Sequence, residues 1–155
     1  MQNPFLQKNL RGIYDPVEKK WWFSAVDICA ILIGSDCDYA RRYWKNLKHD
    51  LWQQKNQLVA FSNQLKFPSA KDGKYYHTEV LDTLEVAYLI QVIPHKGATP
   101  FRLWLAQLVV AGEKLEPFLI RAGAKHAEEF IAQYRTNPKK YPMHIITKEG
   151  LLDRA

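Results

Sequence analysis

Between Trp21 and Leu51 the sequence prescribes a strand, a short helix, an abrupt break and a second helix, and this succession constrains the fold more than any other stretch. Trp21-Trp22-Phe23 is a run of strand-favouring aromatics. Ser24 then offers a helix N-cap, and Asp27 falls at the third helical position, where a carboxylate meets the free amides and the positive end of the helix dipole. Ala25 to Ile33 is apolar on most faces, which predicts a short buried helix ending at Gly34. Ser35 offers a second cap at once, with Asp36 and Asp38 in the following first turn, so a second helix is expected from about Asp36 to Leu51. Upstream, Leu10 to Tyr14 reads as a short strand and Asp15 to Lys19, with Pro16, as the turn that makes a hairpin with the aromatic strand.

On the second helix Ala40, Tyr43, Trp44, Leu47 and Leu51 share one face at spacings of three and four. Arg41, Lys45 and Lys48 lie about 120° round from it at ~100° per residue, with Arg42 on their shoulder. A buried helix, a glycine-containing break and an exposed basic helix have the geometry of a helix-turn-helix. From Arg41 to Lys74 there are eight Lys and Arg against two Asp, while the rest of the chain balances, so this segment carries the whole net charge of +6. Such confinement is expected of a patch that attracts a polyanion, and also of a solvated basic face.

Further along, Gln64-Leu65-Lys66-Phe67 and Lys74-Tyr75-Tyr76-His77 flank a turn whose Asp72-Gly73 pair accepts positive φ, giving a second hairpin that carries Lys66, Lys71 and Lys74. These lysines suit a wing on a phosphate strand, and equally a charged edge that resists strand pairing. Val80 to Val92 reads as an apolar helix stopped by Pro94. Thr99 and Pro100 supply an N-cap and a first-position proline for a helix to about Lys114, apolar nearly all round and therefore expected to be central. Ala127, Phe130, Ile131 and Tyr134 form one more amphipathic stripe, placed either back on the core or in a two-fold dimer.

Several function classes find no support in the residues. Cys29 and Cys37 lack zinc-finger partners and read as buried free thiols. The five histidines are scattered, there is no glycine-rich phosphate loop, and the acidic pairs Asp36/Asp38 and Glu128/Glu129 are explained by capping and by solvation. No catalytic residue, metal or cofactor is therefore expected. Tyr43, Trp44, Trp21 and Trp22 are expected in the core rather than as base-stacking platforms. No apolar run approaches the ~20 residues of a membrane helix, and the opening residues lack a charged leader with an apolar stretch, so a cytoplasmic protein without membrane contact is expected.

The segment Trp21-Trp22-Phe23-Ser24-Ala25-Val26-Asp27-Ile28 resembles the strand-into-helix opening of the BRO-type N-terminal domain of phage and prophage antirepressors. Arg41-Arg42-Tyr43-Trp44-Lys45-Asn46-Leu47-Lys48 is similar to that family's second helix, Asp72-Gly73-Lys74 to its later hairpin and Phe101-Arg102-Leu103-Trp104-Leu105-Ala106 to its closing helix. The resemblance covers about Leu10 to Ala111 and implies a DNA-binding regulatory module, or one that acts by binding a repressor protein. The expected architecture is α+β: short hairpins packed with helices in a winged-helix-turn-helix-like core over 1–112, and a C-terminal helical extension over 113–155. The expected partner is double-stranded DNA, contacted by Arg41, Arg42, Lys45, Lys48, Lys66, Lys71 and Lys74, with a repressor protein and a second copy as further candidate partners.

Overall fold

The computed structural model describes residues 2–6, 8–15, 18–53, 64–68, 74–123, 146–147 and 150–151. It is an α+β arrangement. Strands β1 (Gly12–Asp15) and β2 (Lys20–Ser24) form the first hairpin, and helices α1 (Ala25–Ile33) and α2 (Cys37–Gln53) follow. Strands β3 (Gln64–Pro68) and β4 (Tyr75–Leu81) form the second hairpin, and then come α3 (Thr83–Val92), a 3-10 turn (Lys96–Ala98), α4 (Thr99–Ala111) and helical residues 115–123. The four strands make one antiparallel sheet in the order β1-β2-β4-β3. Two further short strands, Ile146–Thr147 and Gly150–Leu151, pair with each other.

The alternation of side chains along β2 divides the core. Phe23 faces the main cluster, together with α1, the keel of α2 and the helices from α3 onward, whereas Trp22 turns to the opposite face with Ile13 and Val80. Lys20 lies over the Trp22 ring at 4.7 Å. Phe5 and Leu10 are fully buried, and the Phe5 ring meets Phe101 and Trp104 at centroid distances of 5.2 and 5.8 Å. Helix 115–123 closes the same core with Leu115, Phe118, Leu119 and Ala122, and its Phe118 carbonyl accepts from Asn3 Nδ2 at 2.8 Å.

The local signals around α1 act as expected. Ser24 Oγ accepts from the Asp27 amide, and Gly34 ends the helix in the left-handed conformation at φ 70°, a geometry that glycine adopts without side-chain strain. The Asp27 carboxylate does more than face its own helix end: it accepts from the backbone amide, Nε and an Nη of Arg11 at 2.9, 2.8 and 3.0 Å, while Arg11 also donates to Ser24 Oγ. One carboxylate thus ties the entry of β1 to the first turn of α1.

Several expectations need correction. The cap of α2 is Asp36, whose Oδ1 accepts from the Tyr39 amide at 2.8 Å; Ser35 instead donates its hydroxyl to the Asp36 carbonyl. Val80 and Leu81 end β4 rather than opening a helix, because the reciprocal capping box of Asp82 and Glu85 starts α3 after them. Burial comes first in raising the Glu85 carboxyl above its ordinary range. Thr99 is already helical and makes no cap bond, and α4 ends at Gly112, so it is shorter than expected. Nor is α4 buried all round: Phe101, Trp104 and Leu108 face the core, but Leu103, Val109 and Val110 are 62%, 74% and 89% exposed.

The cysteines also divide. Cys29 is buried and its thiol is pushed up to about 12 by burial, whereas Cys37, at the start of α2, is exposed. A thiol-reactive maleimide should therefore modify one cysteine per folded chain, Cys37, and the second only after denaturation. Equal rates at both positions in the native protein would contradict this packing of α1.

Candidate nucleic-acid interface

Helix α2 has the faces its spacing predicts. Ala40, Trp44, Leu47 and Leu51 are buried and Tyr43 is half-buried, with its ring 5.9 Å from His95 in an edge contact. Trp22 and Trp44 are core residues, and Trp21 is half-buried against the Tyr14 ring at 5.3 Å. With the keel held, Arg41, Arg42 and Lys45 are exposed on the remaining surface of the helix. Arg41 pairs with Asp38 one turn earlier at 3.3 Å; both side chains are largely solvated, so the pair is weak and leaves the guanidinium able to exchange partners. The Arg42 guanidinium lies 6.0 Å from the Tyr39 ring centre. Three cations therefore occupy one solvent-facing surface without a buried counter-ion among the described residues.

Lys48 is placed differently. Its Nζ makes an ion pair with Glu79 of β4, and the other oxygen of the same carboxylate accepts from Trp44 Nε1. Glu79 is a residue the sequence reading passed over; its partners are 31 and 35 positions away, and no local pattern signals such a contact. The consequence is mechanical as well as electrostatic. The carboxylate fastens α2 to the second hairpin and lies opposite Gln64 in the β3–β4 register.

The hairpin itself is present, with Leu65 opposite Thr78 and Lys66 opposite His77. Lys66 thus lies on the outermost strand of the sheet, and Lys74 is exposed just before β4. Lys71 and the Asp72-Gly73 turn lie outside the described residues, as does the stripe of Ala127, Phe130, Ile131 and Tyr134. His95 has a structural part, since its Nδ1 accepts from the Gly97 amide at 2.9 Å and so caps the 3-10 turn. Arg102, on the fourth helix, is likewise occupied in the fold: it donates to the carbonyls of Ile90 and Ile93 and closes the C-terminal end of α3.

No curated protein and no solved structure matches the chain. The family model described as "BRO family, N-terminal domain" matches residues 9–111, a span that begins just before β1 and ends with α4. It takes in both hairpins, the cationic helix and the Arg11–Asp27 tie, and leaves helix 115–123 outside although that helix packs into the same core. With about two-thirds of its length matched, the chain belongs to the BRO family and carries that family's N-terminal domain over residues 9–111.

Proposed function

We propose that this domain is a non-enzymatic regulator of phage or prophage type that binds duplex DNA in the cytoplasm through α2, with the β3–β4 hairpin alongside as a wing. The observation that carries the reading is the surface formed by Arg41, Arg42 and Lys45, exposed on a helix whose opposite face is fixed in the core. The topology supports it. The strand β2, a helix, the three-residue break Gly34 to Asp36, a second helix and a hairpin follow in order, and the second strand of that hairpin, β4, returns to pair with β2. That succession is the one a winged helix-turn-helix uses to present its second helix to a groove. Long cations on such a helix neutralise phosphates, and Arg41 or Arg42 is also suited to a two-pronged hydrogen bond with guanine. Lys66 on β3 and Lys74 just before β4 put two further lysines in the stretch of chain that forms the wing.

Affinity for duplexes of unrelated sequence should fall steeply with salt, with a log–log slope of roughly −2 to −3 if the three α2 cations each cover one phosphate. Folded protein that binds no duplex even at low salt would refute the reading. A second reading, a module that docks on a repressor protein, is favoured by one specific observation, the outer face of α4. Leu103, Val109 and Val110 are exposed there, and the helix contains a single charged residue, Arg102, which is engaged in the fold. Loss of repressor capture on Val109→Asp/Val110→Asp, together with no duplex binding by the unmodified protein, is the result that this second reading requires.

A further inference from the structure

Glu79 stands at the junction of the two elements proposed to meet DNA, an acidic residue on the hairpin that also carries Lys66, Lys71 and Lys74. Its carboxylate uses one oxygen for Trp44 Nε1, at the edge of the α2 keel, and the other for Lys48 Nζ, on the cationic side of the helix. The side chains of Lys48 and Glu79 are 33% and 22% exposed, so the pair is partly shielded from water and from salt, unlike the solvated Arg41–Asp38 pair on the same helix.

We infer that Glu79 is a positioning residue that sets how α2 meets DNA: it withdraws Lys48 from the phosphates while holding Trp44, and so fixes the rotation of the helix against the wing. The inference rests on the DNA-binding reading above. Two consequences follow from the chemistry. A cation held by an internal carboxylate releases no counter-ion from DNA, so Lys48 contributes nothing to the salt dependence of the unmodified protein. Removing the charge of Glu79 while keeping its shape frees Lys48 as an additional phosphate contact, which strengthens binding to every sequence alike and lowers the discrimination between sequences. A carboxylate that serves only to hold the fold would have neither effect.

The test uses the whole chain and a set of duplexes of unrelated sequence, with affinity measured over a range of salt for the unmodified protein, Lys48→Met, Glu79→Gln and the double variant. Glu79→Gln keeps an amide oxygen for Trp44 Nε1 and loses the charge together with the second acceptor oxygen, the one that holds Lys48. The expected pattern is an unchanged slope for Lys48→Met, a slope steeper by roughly 0.9 for Glu79→Gln with roughly five- to tenfold tighter binding to every duplex at low salt, and return of the double variant to the original slope. A shallower slope for Lys48→Met in the otherwise unmodified protein would overturn the inference, because Lys48 would already be on a phosphate. So would a Glu79→Gln protein with lowered thermal stability and an unchanged slope, which is what a purely structural carboxylate gives. Should Glu79→Gln not fold, a shallower slope for Lys48→Met still overturns the inference. Absence of duplex binding by the unmodified protein is a separate result: it removes the DNA reading itself and the inference with it.

Discussion

Asp27→Ala should be among the most destabilising single substitutions in this domain, costing about 3–5 kcal/mol. The Asp27 side chain is 3% exposed and that of Arg11 22%, so the substitution leaves a mostly buried guanidinium without its counter-ion and the Arg11 backbone amide without its acceptor. For a domain whose total stability is on the order of 5–15 kcal/mol, that lowers the Tm by roughly 10–25 °C. Asp27→Asn should cost less, since an amide oxygen still accepts from the Arg11 backbone. Replacing both partners, as Arg11→Met/Asp27→Leu, should recover part of the loss because it removes the stranded charge, and the double-mutant cycle reads the coupling directly. A thermal melt of Asp27→Ala within a few degrees of the unmodified protein would mean that the tie between β1 and α1 is not what holds the entry to the domain.

The contrast between Asp27 and its neighbours separates what a sequence displays from what it conceals. The cap at Ser24, the left-handed stop at Gly34 and the keel of α2 are each decided within a few residues, so spacing and residue type were enough to place them. The role of Asp27 depends on an arginine sixteen residues away, and that of Glu79 on a helix more than thirty away. Neither separation has a period that could be read along the chain. Where local signals compete, the outcome shifts by one position: Ser35 and Asp36 are both good caps, and the aspartate takes the Tyr39 amide. Apolar runs mislead in a different way. Val80 and Leu81 continue into Val86 and Leu89 without a change in hydrophobicity, and what divides strand from helix is the polar pair Asp82 and Glu85 between them. On α4 a run that is apolar all round suggested a central helix, but only the face of Phe101, Trp104, Leu105 and Leu108 packs against the core among the described residues. The cationic site was legible in part, because exposure of Arg41, Arg42 and Lys45 follows from burial of the opposite face, whereas the removal of Lys48 into an ion pair depends on the sheet.

The cations of α2 carry the functional account, and removing three of them should have the largest effect on binding. Arg41, Arg42 and Lys45 lie away from the packed face, and alanine is the best helix former, so Arg41→Ala/Arg42→Ala/Lys45→Ala should fold with an unchanged melting profile. If each side chain neutralises one phosphate, the variant loses roughly two to three units of salt slope and roughly a hundredfold or more in affinity at low salt, on every duplex. If Arg41 or Arg42 reads a guanine instead, its single alanine variant relaxes preference at one base position by about 1–3 kcal/mol. The most direct measurement is therefore the salt-dependent affinity of the folded triple variant beside that of the unmodified protein, on the same set of duplexes. The account predicts a weaker and shallower titration across the set; identical affinity and slope in a variant that melts normally would show that this helix does not contact DNA.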